Sequence, residues 1–128
     1  MGENRIKLVA ADMDGTLLNR ERKITKYTQN VIKKAMAQGV YFVPATGRAV
    51  NALPPELKEM EGIRYGIFSN GATIYDLKEE KVIYKNHFEM DRVLELMDFL
   101  KQFDLMESIS LNGQSYANKK EMENIDYY

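Results

Sequence analysis

The 128-residue sequence has no cysteine, a single histidine and only three prolines, and its formal net charge is −1. Without cysteine there is neither a disulfide framework nor a thiolate metal site. A near-neutral charge balance excludes bulk electrostatic attraction to nucleic acid or to anionic membranes. Long apolar runs are also missing. Met1-Gly2-Glu3-Asn4-Arg5 leads into a short apolar stretch that Asp12 interrupts, too short for a membrane span and unlike a signal peptide. The expected location is the cytoplasm, with no nucleic-acid or membrane partner. There is no internal repeat and no low-complexity tract. The remaining balance, 45% apolar and 29% charged, is that of a modest globular domain able to bury a core.

Along the chain, the first half alternates strand and helix signals. Ile6 to Ala11 is a compact apolar run ending at acidic residues, which predicts a buried central strand. The polar segment Asn19 to Lys23 reads as a loop. Thr25 is placed to cap a helix in which Tyr27, Val31, Ile32, Ala35 and Met36 recur at helical spacing, with Gly39 as its stop. Val40 to Val43 predicts a second buried strand, and strand, helix, strand reads as a βαβ unit with parallel strands. A helical pattern after Arg48 is broken by Pro54 and Pro55. Tyr65 to Ser69 predicts a third strand closing at Asn70-Gly71.

Beyond it the character changes. Ala72 to Asp76 and Lys81 to Lys85 read as a hairpin. Asp91 to Phe103 is amphipathic, with Val93, Leu96, Met97 and Leu100 on one side, and Asn112-Gly113 marks a tight turn between Leu105–Leu111 and Gln114–Asn118. The predicted fold class is α/β with a Rossmann-like parallel sheet over residues 1–85, followed by a smaller α/β module over 86–128.

The chemistry concentrates in Asp12-Met13-Asp14-Gly15-Thr16-Leu17-Leu18. Acids at i and i+2 at the end of a strand project to one side, and the carboxyl end of a parallel sheet is where ligands bind. Gly15 permits a sharp turn, and Thr16 offers a hydroxyl that fixes a carboxylate or the loop. A carboxylate of ordinary pKa, about 4, is ionised at pH 7 and attacks phosphorus without a base. A second carboxyl, kept partly protonated by its anionic neighbour, can donate to a departing alkoxide. The repulsion between anionic nucleophile and phosphate needs a metal and fixed donors, and hard oxygen ligands point to Mg²⁺. The alternative for the two acids is a pair of surface turn aspartates.

Asp12-x-Asp14-Gly15-Thr16-Leu17 resembles the signature of haloacid dehalogenase superfamily phosphatases without a departure. The resemblance implies that Asp12 is the nucleophile and a metal ligand. It makes Asp14 the acid/base with its backbone carbonyl on the metal, and brings the Met13 backbone to the phosphoryl group. Ala45-Thr46-Gly47-Arg48, after the second strand and opening a helix, is similar to the family's second motif, in which Thr and Gly contact phosphate. Arg48 has two readings, a substrate contact or a loop brace through a salt bridge. Ser69-Asn70-Gly71-Ala72 is similar to the Cof-like branch, with Asn70 either bonding near the nucleophile loop or substrate, or serving as a turn former. The module after residue 85 resembles the start of that branch's α/β cap (type IIB).

These likenesses imply a Mg²⁺-dependent phosphatase that hydrolyses small phosphorylated metabolites, such as sugar phosphates, through an aspartyl-phosphate. The family's later lysine and Gly-Asp-type acidic loop have no counterpart among these residues, so a catalytically impaired fragment that binds metal or a partner is the competing reading. A receiver-like phosphoacceptor module would need its acid after a third strand, and here the acids follow the first. In the family the first strand is central, so its outer edge is expected to lie unpaired here, with homodimerisation through that edge or partial disorder as the outcome. His87, the eight methionines, Lys78–Lys81 and Lys119–Glu123 read as structural, core-filling or solvated.

Overall fold

The computed structural model describes residues 6–123. The chain divides into two compact units between Lys85 and Asn86. In the first, strand β1 (Leu8–Asp12) enters the loop Met13–Leu17, helix α1 (Lys26–Ala37) follows, and strand β2 (Tyr41–Ala45) returns beside β1. A four-residue helix α2 (Pro55–Lys58) precedes β3 (Tyr65–Phe68), and β4 (Thr73–Asp76) and β5 (Lys81–Lys85) form the hairpin.

The five strands make one sheet in the order β1-β2-β3-β4-β5. β1 and β2 are parallel, in register from Leu8↔Tyr41 to Asp12↔Ala45, and β2 runs parallel to β3. β3–β4 and β4–β5 are antiparallel. The architecture is α/β and Rossmann-like, with three parallel strands extended by a hairpin.

The crossover follows from its local chemistry. The Thr25 hydroxyl accepts the Thr28 N–H at 3.1 Å and caps α1. Gly39, at φ +83°, ends it with its N–H on the Met36 carbonyl. Ile32 of α1, Phe42 of β2 and Phe68 of β3 meet Met13, Leu18, Ile24, Leu53, Leu57, Met60 and Ile63 in one apolar core. Tyr27 and Val31 do not share it; both are exposed.

Two expectations need correction. β1 is not buried: it starts at Leu8, exposes Leu8, Val9 and Ala10, and lies at the sheet edge, as the expected unpaired outer edge requires. Only β2 flanks it among the described residues, so one side of its backbone and much of both faces meet solvent. Nor does Thr46-Gly47-Arg48 open a helix. A bend is followed by a single tight turn, Val50–Ala52, because Pro54 and Pro55 cannot supply the N–H groups a continuing helix needs.

The second unit holds helix α3 (Met90–Leu100), a hairpin of β6 (Ser108–Leu111) and β7 (Gln114–Ala117), and a short helix α4 (Lys119–Glu123). Asn112 and Gly113 take φ +52° and +77° at the hairpin tip, as a two-residue turn of that handedness requires. Val93, Met97 and Leu100 are half-buried and Leu96 is exposed. The core-filling reading of the methionines holds for Met13 and Met60 but not for Met90, Met106 and Met122, which are exposed. These three lie in the unit that, among the described residues, has no fully buried side chain to pack against.

Candidate active site

Three parallel strands end side by side, and the sequence-predicted residues lie at those ends. β1 delivers Asp12, whose register partner is Ala45, so Asp12 stands beside the start of the Thr46-Gly47-Arg48 bend. Asp12 is exposed, and the Thr16 hydroxyl donates to its Oδ2 at 3.1 Å. That bond engages Oδ2 and fixes the carboxylate from one side. Between the acids, the Met13 side chain is fully buried. Alternation along the chain turns Met13 inward and both carboxylates outward, so the core anchors the loop that carries them. Gly15 at φ +78° reverses the chain, and the Leu18 N–H closes the loop on the Met13 carbonyl at 2.9 Å.

Thr46 is buried and holds the second loop. Its N–H donates to the Ile67 carbonyl at 2.9 Å, and its hydroxyl accepts the Arg48 N–H at 3.1 Å. At the end of β3, Ser69, Asn70 and Gly71 all take positive φ, at 50°, 54° and 92°. Two non-glycine residues in succession in that region are costly and persist only where surrounding bonds impose them. Those bonds are the Ser69 N–H on the Arg48 carbonyl at 3.0 Å and the Asn70 N–H on the Thr46 carbonyl at 3.2 Å. Gly47 makes the approach possible: a Cβ there would lie 2.8 Å from Asn70 Oδ1. The Asn70 side chain thus packs closely against Gly47.

Arg48 is an ion-pair partner of Asp14. Its Nε donates to Asp14 Oδ2 at 2.9 Å and its Nη2 to Oδ1 at 2.6 Å, with Nη1 on the Ala52 carbonyl at 3.3 Å. The bond from Arg48 lowers the Asp14 pKa below the ordinary carboxylate value; partial burial opposes this, and the charges of Arg48 and Arg22 add to the lowering. While this pair is made, the bond from Arg48 favours the ionised form of Asp14.

The donor set suits a hard cation to a limited degree. Mg²⁺ takes one or two carboxylates and completes its shell with water and substrate phosphate, and Asp12 with the Asp14 segment offers oxygen donors of that kind. Among the described residues, no three His, Cys, Asp or Glu side chains gather closely enough to hold a metal by themselves.

Sequence reasoning missed a second acid–arginine cluster, at the opposite end of β3. Arg64 donates through Nε to Asp76 Oδ2 at 3.0 Å, and the N–H groups of Lys78 and Glu79 both reach Asp76 Oδ1 at 3.1 Å. The available signal was an aspartate at a strand end followed by a charged turn, the pattern of a side chain capping its own turn.

Comparison with known proteins gives the family and the fold. The sequence profile of the haloacid dehalogenase-like hydrolases matches residues 9–128. A phosphatase-like protein of Buchnera aphidicola subsp. Schizaphis graminum is 38% identical over 121 residues, 92% of this chain and 43% of its own length. A haloacid dehalogenase-like hydrolase from B. subtilis superposes with a TM-score of 0.80 at 26% identity, over 94% of this chain and 42% of that one. A sugar phosphatase of haloacid dehalogenase subclass IIB gives a TM-score of 0.76 at 27% identity, over 94% of this chain and 48% of its own. The chain spans less than half the length of each.

Proposed function

The chain belongs to the haloacid dehalogenase-like hydrolases, and from that premise we propose that its strand-end site serves Mg²⁺-dependent hydrolysis of small phosphorylated metabolites, sugar phosphates among them. The observation that carries the reading is the exposed Asp12 carboxylate, held by Thr16 at the end of β1 and flanked by the Thr46–Arg48 bend. The subclass IIB sugar phosphatase superposed on this chain supports the substrate class.

Asp12 acts as nucleophile: its free oxygen forms a bond to phosphorus while the bond from phosphorus to the ester oxygen breaks. The leaving alkoxide takes a proton from Asp14 in its protonated form, which requires the Arg48 pair to open, and an aspartyl-phosphate remains on Asp12. Water then attacks that phosphorus, gives its proton to Asp14, and frees Asp12 and inorganic phosphate. Thr46 and the backbone of Met13 and Gly47 meet the phosphoryl oxygens, with Asn70 and Arg48 at the rim. Asp12 and the Asp14 backbone carbonyl would hold Mg²⁺, which would supply charge neutralisation between carboxylate and phosphate.

The purified chain, given Mg²⁺ and a generic phosphomonoester, is expected to release phosphate at a rate that Asp12→Asn lowers to background. Equal background rates in both proteins would remove turnover from this chain while leaving its family intact.

A further inference from the structure

Building on that phosphatase reading, we propose that Arg48 is an exchangeable clamp: its guanidinium holds the Asp14 carboxylate until an arriving phosphate dianion takes the guanidinium over and releases Asp14 toward the leaving-group oxygen.

Three features support the exchange. The first is the fork itself. Nε and Nη2 engage both oxygens of Asp14, and Nη1 lies on the Ala52 carbonyl. Three of the five N–H donors are thus engaged, and a phosphate that takes the paired Nε–Nη2 edge must displace Asp14. A dianion with three terminal oxygens is the stronger partner for a planar two-pronged donor. The second feature is anchoring. The Arg48 N–H is held by the Thr46 hydroxyl at 3.1 Å and its carbonyl by the Ser69 N–H at 3.0 Å. The backbone is pinned beside the proposed phosphate position, so exchange needs only side-chain rotation.

The third is access. Asp14 is 54% exposed and Arg48 27% exposed, so water can replace either partner and the pair is cheap to open. While both Asp14 oxygens accept from Arg48, neither is turned toward a leaving group. Arg48 is thus a positioning residue for Asp14 as well as a phosphate contact.

The test is a double-mutant cycle on the affinity for inorganic phosphate, measured in the full chain by calorimetry or NMR titration. Asp14→Asn removes the competitor for Arg48 and should tighten phosphate binding by about 5-fold, the scale of an exposed pair. In the Arg48→Gln background the same change should tighten binding by no more than about 2-fold, the residue of deleting one negative charge. Arg48→Lys, which keeps the charge and loses the fork, should behave like Arg48→Gln in this coupling. In the wild type, phosphate should also move the Arg48 Nε–H resonance away from its Asp14-bonded position. Equal tightening in both backgrounds, or weaker binding in Asp14→Asn, would overturn the clamp and leave the phosphatase reading intact. No phosphate binding by the wild type would overturn both. Dispersed amide spectra of each variant exclude loss of fold as the cause.

Discussion

The two ends of β3 each carry an aspartate–arginine pair, and the pairs are built to different specifications. At the end where β3 begins, Asp76 is 2% exposed and Arg64 45% exposed. Arg64 grips one carboxylate oxygen, the N–H groups of Lys78 and Glu79 grip the other, and the Arg64 guanidinium also lies over the Tyr65 ring at 5.2 Å. At the end where β3 stops, Asp14 is largely exposed and its side chain accepts from Arg48. Both acids are held below the ordinary carboxylate pKa, by different balances. For Asp76 burial pushes upward most strongly, and the Glu79 N–H, Arg64 and the Lys78 N–H together overcome it. For Asp14 the bond from Arg48 is the largest influence. An acid closed off from water and met by backbone donors is a fastener. One left open beside a single side chain is a contact that a ligand can take over.

The largest expected effect comes from breaking the fastener. Asp76→Ala strands the Lys78 and Glu79 N–H groups at the base of the β4–β5 hairpin and should lower Tm by about 5–10 °C. Asp76→Asn keeps an acceptor oxygen and should cost less. Thermal melts followed by circular dichroism measure both, and a loss in Asp76→Ala no greater than that in Asp14→Ala would erase the distinction drawn here.

Acid sharpens the same contrast. The folded-state pKa of Asp76 lies below its ordinary 3.8. The stability it contributes is therefore complete above the unfolded value and is lost as pH falls through the folded one. Tm should be level from about pH 5 to 7 and fall below about pH 4, with a shallower fall in Asp76→Asn. A wild-type decline that Asp76→Asn leaves unchanged would assign acid sensitivity to other carboxylates.

The parallel half of the sheet was legible because its signals are local: an apolar run, a Thr25 cap and a Gly39 stop fix strand, helix and strand in order. The placement of the candidate site was legible because Asp12 ends a strand, Thr46 and Asn70 each closely follow one, and parallel register brings strand ends together. What escaped was set by tertiary balance. The apolar composition of Leu8–Asp12 reads as a covered strand, whereas its edge position, expected from the family resemblance, depends on its neighbours. The bend at Thr46–Arg48 depended on how far the Pro54-Pro55 interruption reaches back along the chain. The hold of Arg48 on Asp14 was not legible because the two lie 34 residues apart. Sequence spacing had offered only the nearer influence, Asp12.

The smallest expected effect is the one that most directly separates the two pairs. Asp14→Asn and Arg48→Gln should each shift Tm by less than about 2 °C, because an exposed pair adds little to folding and both side chains regain water when parted. Arg48 keeps its backbone bonds to Thr46 and Ser69 in either variant, so the loop that carries Thr46 should hold its shape. Salt provides the control. At about 0.5 M NaCl, screening should erase the Asp14→Asn difference, whereas the Asp76→Ala deficit, seated in buried backbone donors, should persist. A salt-resistant loss in Asp14→Asn as large as that in Asp76→Ala would make the Arg48 contact a second fastener, and a clamp so costly to open could not hand its guanidinium to a phosphate.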